Sequence, residues 1–411
     1  MPLSFHHHQL PNGLDIIAES NPSAHSIAVG MFVQTGSRDE QVNINGVSHF
    51  LEHMMFKGSE KYTWEDVNRI FDEIGARYNA FTSQEMTAYY ANVLPEFTER
   101  AVEHLAHLLR PAIRQQDFDT EKKVILEEIA MYLDDPGHRL YEKAMEAHFG
   151  QHPLSLSVLG PSASIQALTR QQMMEYFSGR YGPGNMVLAA TGLLDFDALV
   201  DLTRKYCGHW PRVHATRQQP HPVYRSQRLE MLDPKLNRHY TMAMTAGPSA
   251  QDELRFAARV LADVLGDSEG SRLYWALVDK AIAEDADFGF YPHDGCGSFY
   301  LYLVTDPQRS AQALEIALKE LQRVKADLND DEIERAKNKI ASSIVLQGEV
   351  PLGRMRSLGG QWIYNREYRS LQQDMQTLMA VDRQSLQALM AQYAFDPMTI
   401  VTLAPGTAGS A

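Results

Sequence analysis

The stretch HSIAVGMFVQTGSRDE, residues 25–40, returns in altered form as HYTMAMTAGPSAQDE, residues 239–253. Each reads as an apolar strand, a glycine-containing turn and an Asp-Glu pair. Thirteen residues beyond Gly36 stands His49, and thirteen beyond Gly247 stands Val260. A repeat at a spacing near 211 residues predicts two related domains, one with histidines that the other lacks. The length of 411 residues agrees, because a single hydrophobic core rarely grows past about 250–300 residues. Between the copies, PRVHATRQQPHP (211–222) has three prolines and no apolar period, the composition of a linker. The expected division is 1–211, a linker at 212–222, and 223–411.

Around the first copy the chain alternates strands and helices. FHHHQLPNGLDIIAE predicts two strands about an Asn12-Gly13 turn. His6, His7 and His8 lie consecutively on the first strand, so they point to alternate faces and do not converge on one ion. GVSHFLEHMMFKG reads as a helix stopped near Gly58. TWEDVNRIFDEIG has a Thr63 cap, Asp66 three residues on, apolar residues at helical spacing and Gly75 as the stop. RYNAFTSQEMTAYYANVL predicts two strands around TSQE. Helices follow near 96–110, 117–134 and 138–149, then a strand at 185–192 and a helix over DFDALVDLTRKYCG.

Composition excludes some functions. A net charge of −14 argues against a general nucleic-acid binder and suits a cavity that attracts basic peptides, or simply a solvated surface. No run approaches the ~18 apolar residues of a membrane span. The first residues have neither a basic region nor an apolar core of the secretory kind, so a cytoplasmic location is expected. Cys207 and Cys296, the only two cysteines, make no disulfide framework.

HFLEH, residues 49–53, is the candidate for chemistry. On a helix, positions i and i+4 share a face, so His49 and His53 point together with Glu52 beside them. Two imidazoles can hold one Zn²⁺, and a catalytic zinc needs a third protein ligand and an open position for water. Glu52 could then serve as general base. A buried helix with histidines at its polar margin is the plainer alternative. A third ligand decides between them. DFDTEKKVILEEIAMYLDD predicts a helix with an apolar stripe at Val124, Ile125, Ile129 and Tyr132. Glu121 and Glu128 share a face two turns apart, Glu128 at the edge of the stripe, with Glu127 turned to solvent.

HFLEHMMFKGS, followed by Glu128 within VILEEI, resembles the pitrilysin family of inverzincin metallopeptidases, which includes insulin-degrading enzyme and the mitochondrial processing peptidase. LPNGLDII, VQTGSRDE, YNAFTSQEMTAYY, DDPGHRL, HPLSLSVLG and RYGPGNMVLAATG occur in the family's order, and GSRLYWALVD and GEVPLGRMRSLGGQ are similar to its later segments. The chain resembles a short, two-domain, bacterial-type member. The resemblance implies an α+β fold of two homologous domains. Each would be a mixed, mostly antiparallel sheet packed with helices, and together they would form half of a clamshell. It implies one zinc per chain, held by His49, His53 and Glu128, with Glu52 as the base and Glu121 orienting a ligand.

The same resemblance places Asn79, Ala80 and Phe81 on an edge strand that pairs with the substrate backbone; read by itself, Asn79 is equally a turn residue. The family's substrate-orienting Arg and Tyr have no match: Phe299 stands where the Arg is expected and Ser310 near the Tyr position, with Tyr300 and Tyr302 the nearest tyrosines. Four domains enclose a peptide in the family. Two chains are therefore expected to combine, as a homodimer or with a zinc-less homologue. The expected activity is that of a zinc endopeptidase acting on peptides or unfolded segments. The alternative is a non-proteolytic or partner-dependent subunit of a processing-peptidase-like heterodimer.

Overall fold

The computed structural model describes residues 3–406 apart from 268. Among the described residues the strands are β1 (Ser4–Gln9), β2 (Asp15–Ser20), β3 (Ile27–Val33), β4 (Arg77–Thr82), β5 (Thr87–Val93), β6 (Met186–Gly192), β7 (Gln227–Asp233), β8 (His239–Gly247), β9 (Asp285–His293), β10 (Cys296–Thr305) and β11 (Met398–Pro405). The α-helices of the first half are α1 (Val47–Met55), α2 (Trp64–Glu73), α3 (Thr98–Leu108), α4 (Gln115–Leu133), α5 (Pro136–Phe149), α6 (Ser162–Ala167), α7 (Arg170–Arg180) and α8 (Phe196–Cys207). Those of the second half are α9 (Arg255–Gly266), α10 (Ser310–Asp327), α11 (Asp330–Glu349), α12 (Pro351–Asn365), α13 (Leu371–Met379) and α14 (Arg383–Gln392).

Two compact units emerge. The first takes in the chain up to Ala130, with Leu156–Gln218 and Leu346–Arg369; the second takes in Met131–Ser155, Gln219–Val345 and the chain from Ser370 onward. The units thus interleave along the sequence, where two contiguous halves were expected. α5 comes from the first half but packs on β8 and β11, and α12 comes from the second half but packs on β3 and β6. The linker region is also less loose than its prolines suggest. Arg217 is fastened to Asp39 at 3.0 and 2.7 Å and donates to the Glu85 carbonyl.

The first unit is a six-stranded sheet in the order β1-β2-β6-β3-β5-β4, parallel between β2 and β6 and antiparallel elsewhere. The all-apolar IAVGMFV of β3 follows from burial on both faces. Ile27, Val29, Met31 and Val33 meet Phe50, Leu51, Met54 and Met55 of α1 and the neighbouring helices. Ala28 and Phe32 meet Met355, Leu358, Trp362 and Ile363 of α12. Gly359 permits that approach, since a Cβ there would come within 2.3 Å of the Phe32 ring.

The second unit has the order β7-β11-β8-β10-β9, again with one parallel pair, β7 with β11. Setting β1 aside, the two sheets match strand for strand. The parallel partners are even separated equally along the chain: Asp15 faces Val187, and Gln227 faces Thr399. The expected α+β duplication is present, two mixed and mostly antiparallel sheets. α9 stands where the repeat places a counterpart of α1. Val260, Asp263 and Val264 occupy the places of His49, Glu52 and His53, and Val260 is core.

Most sequence-predicted elements are present. The Thr63–Asp66 capping box forms, and the chain turns through SQE, residues 83–85, between β4 and β5. α6 and α7, over 162–180, were not anticipated, because their apolar residues are few and short-spaced. The expected stripe of α4 needs correction. Its buried residues are Phe118, Glu121, Ile125 and Ile129, whereas Val124 is 43% and Tyr132 36% exposed. The helix buries a row that begins a turn and a half earlier, at Phe118, which stacks on Phe50 at 4.9 Å.

Candidate metal centre

α1 begins at Gly46, whose φ of 96° is the left-handed region; a Cβ there would lie 2.5 Å from the Leu159 carbonyl oxygen. Phe50, Leu51, Met54 and Met55 fix the buried side of the helix. The opposite margin then carries His49, Glu52 and His53 toward α4, which supplies Glu121 and Glu128.

His49 Nε2 lies 3.8 Å from Glu128 Oε1, and His53 Nε2 lies 3.6 Å from Glu128 Oε2. One ligand atom from each of the three residues falls within 4.8 Å of the others. Ligands on a tetrahedral zinc at 2.0–2.1 Å are about 3.4 Å apart, so the three enclose a gap slightly wider than a loaded site. Among the described residues no other group of three has this arrangement. The matching place in the second unit has valines for the histidines. Lys339 stands where Glu128 would be and pairs with Asp267 at 3.0 Å.

The surrounding hydrogen bonds fit a cation. His53 Nδ1 is 2.9 Å from Glu121 Oε1. A carboxylate only accepts, so Nδ1 carries the hydrogen and Nε2 keeps its lone pair for the gap. Lys57 Nζ holds the other Glu121 oxygen at 2.5 Å. His49 Nδ1 is buried without a hydrogen-bond partner, so packing alone orients that ring. Burial lowers the His49 pKa to about 4, keeping the imidazole neutral and a competent ligand. Burial also opposes charge on His53, but its bond to Glu121 and the nearby Glu128 and Glu52 outweigh this and raise its pKa. Glu121 goes the other way: burial is outweighed by His53 and Lys57, and its pKa is lowered. Glu52 is raised by burial, against a 2.6 Å hydrogen bond donated by Thr82 Oγ1.

Thr82 ends β4, the edge strand of the sheet. Asn79 is exposed and accepts from the Ala80 N–H at 2.9 Å, while Ala80 and Phe81 are half-buried. Arg356 lies over the Phe81 ring, 5.5 Å from its centroid. Tyr300 and Phe299 belong to the second unit. Phe299 is fully buried among Phe288, Phe290 and Phe395. Tyr300 donates to Asp287 at 2.9 Å and stacks on Tyr291. Sequence reasoning brought Glu52, His49, His53, Glu121 and Glu128 together and missed Lys57 and Thr82. Lys57 was visible as the next i+4 position after His53; Thr82 had no signal beyond lying in YNAFT.

Residues 15–162 match the family model described as Insulinase (Peptidase family M16), and 167–340 match the Peptidase M16 inactive domain. A zinc protease of Mycobacterium tuberculosis is 32% identical over 92% of this chain and 88% of its own length. The beta subunit of the mitochondrial-processing peptidase of Saccharomyces cerevisiae is 29% identical over 86% of this chain and 80% of its own. A protease from Helicobacter pylori of known structure superposes with a TM-score of 0.90, covering 98% of this chain and 100% of the other at 20% identity. The chain belongs to the insulinase family, peptidase family M16.

Proposed function

We propose that the chain is a zinc-dependent endopeptidase in which His49, His53 and Glu128 hold the metal and Glu52 is the general base. The observation that carries this reading is the convergence of those three residues across α1 and α4, with Glu52 on the same margin. A zinc ion bound there would supply a Lewis acid and lower the pKa of water at its open position. Glu52 takes the proton from the attacking water and delivers it to the departing amine. Its burial suits the task, because a carboxylate with a raised pKa holds a proton more readily. Thr82 fixes the carboxylate in one rotamer. Glu121 fixes the His53 tautomer.

The edge strand β4 receives the substrate as an added strand, with main-chain bonds supplying affinity around Asn79, Ala80 and Phe81. Such binding reads an extended backbone, so peptides and unfolded segments are the substrate class. Two chains act together. Support comes from Phe299, which is core and offers no grip of its own, and from the relative named as a subunit; light scattering should find particles of two chains.

The test is cleavage of unstructured peptides by the purified chain and by Glu52→Gln. Cleavage should fall by at least about a hundredfold in the variant, within the range for loss of a general base, with zinc content unchanged. Equal cleavage by both proteins would sink the proposal. Cleavage that requires added cell extract would favour the partner-dependent subunit.

A further inference from the structure

The motif SRDE, residues 37–40, enters none of the chemistry above, yet Ser37, Arg38 and Glu40 are buried. Glu40 is the informative one. α1 has no capping side chain of its own, because its cap residue is Gly46. The first turn of a helix leaves its N–H groups without intrahelical partners. His49 lies in that first turn, the third residue of α1. Its placement therefore depends on what holds the helix start.

Glu40 holds it. Oε2 accepts from the Gly46 N–H and from Asn45 Nδ2, and Oε1 accepts from the Ser48 N–H, each at 2.7 Å. Ser48 Oγ is further tied to the Tyr176 hydroxyl at 2.7 Å. Three residues around the cap, Asn45, Gly46 and Ser48, are thereby held by Glu40 and Tyr176. A carboxylate at a helix N-terminus also meets the positive end of the helix dipole. The second unit is an internal control. At the repeat spacing of 211 the place of Glu40 falls to Gln251, which is exposed, donates to Asp294 and accepts from the Gly295 N–H, while the half-buried Asp252 accepts from the Leu254 N–H ahead of α9. The buried capping carboxylate occurs on the helix that carries the histidines and not on its counterpart.

We propose that Glu40 is a positioning residue for the metal centre, fastening the first turn of α1 so that His49, Glu52 and His53 meet Glu128 at a fixed depth and angle. The role rests on the zinc-ligand reading of those residues. It touches neither substrate nor reacting atoms. A glutamine at 40 has one carbonyl oxygen for donors that now approach both carboxylate oxygens, and its amide N–H groups would face at least one of them.

The test is zinc affinity by chelator competition, and the visible absorption of the cobalt-loaded protein, for the full chain and Glu40→Gln. Both are measured at pH 8, above the value of about 7 to which burial pushes the Glu40 carboxyl. The variant should bind zinc about 10–100-fold more weakly, as for other groups that orient ligands, and show altered cobalt bands, with an unchanged metal-free circular dichroism spectrum. Equal affinity and identical cobalt bands would overturn the proposal. Should Glu40→Gln not fold, Glu40→Asp decides on the same readouts: its carboxylate retreats by about 1.5 Å, one methylene, and unchanged affinity and bands would again overturn it. A wild-type chain that binds no zinc would overturn the metal centre itself, and this role with it.

Discussion

At His53, the carboxylate of Glu121 on Nδ1 leaves Nε2 as the nitrogen with an available lone pair. Replacing Glu121 with glutamine removes the charge that favours this tautomer and frees Lys57. Zinc affinity should fall about 10–100-fold, read by chelator competition, with little change in the fold; an unchanged affinity would show that packing alone orients the ring. The sequence carried this part well. Helical spacing puts His49, Glu52 and His53 on one margin, and the two-turn separation puts Glu121 and Glu128 on one face; the parts of Glu121 and Glu128 in the centre came from the family resemblance. Thr82 and Glu40 could not be read the same way: Thr82 reaches Glu52 from another element, and Glu40 reaches the start of α1 from the irregular segment before it, and no local period records either contact.

At the scale of elements, local rules succeed where local physics dominates. The capping box of α2 and the hairpin at Asn12-Gly13 are written in adjacent residues. α4 shows the limit. Its sequence offers two adjacent apolar rows, and only packing against Phe50 decides that Phe118, Ile125 and Ile129 go inward while Val124 stays out. α5 makes a prediction about pH. Its His148 is buried with Nε2 2.9 Å from Ser298 Oγ, beside Tyr224 and His293, and burial lowers its pKa to about 3. The unfolded chain takes up that proton near the ordinary value of 6.5, so His148 contributes stability above this value that is lost as pH falls toward 3. Between pH 7 and 5 the wild-type chain should lose about 2 kcal/mol more than His148→Gln. Urea midpoints at both pH values measure this, and parallel losses would contradict it.

For the whole molecule, the repeat predicted the duplication, but the exchange of α5 and α12 between sequence halves escaped it. A helix's destination depends on which sheet face lacks cover, and both sheets lack one helix from their own half. Met355, Leu358, Trp362 and Ile363 of α12 complete the core on one face of the first sheet. At about 2 kcal/mol per buried side chain they contribute about 8 kcal/mol, comparable to the net stability of a domain. Residues 1–211 expressed alone should therefore not form a cooperative monomer, and 223–411, lacking α5, should fail likewise. Circular dichroism melts and size-exclusion chromatography test this; a sharply melting monomeric fragment 1–211 would contradict it.

The central claim is that one zinc sits between α1 and α4, and metal analysis of the purified chain beside His53→Ala tests it most directly. The expected result is close to one zinc per wild-type chain and a loss of most of it in the variant. A wild-type chain without stoichiometric zinc, or a variant that retains it fully, would contradict the claim.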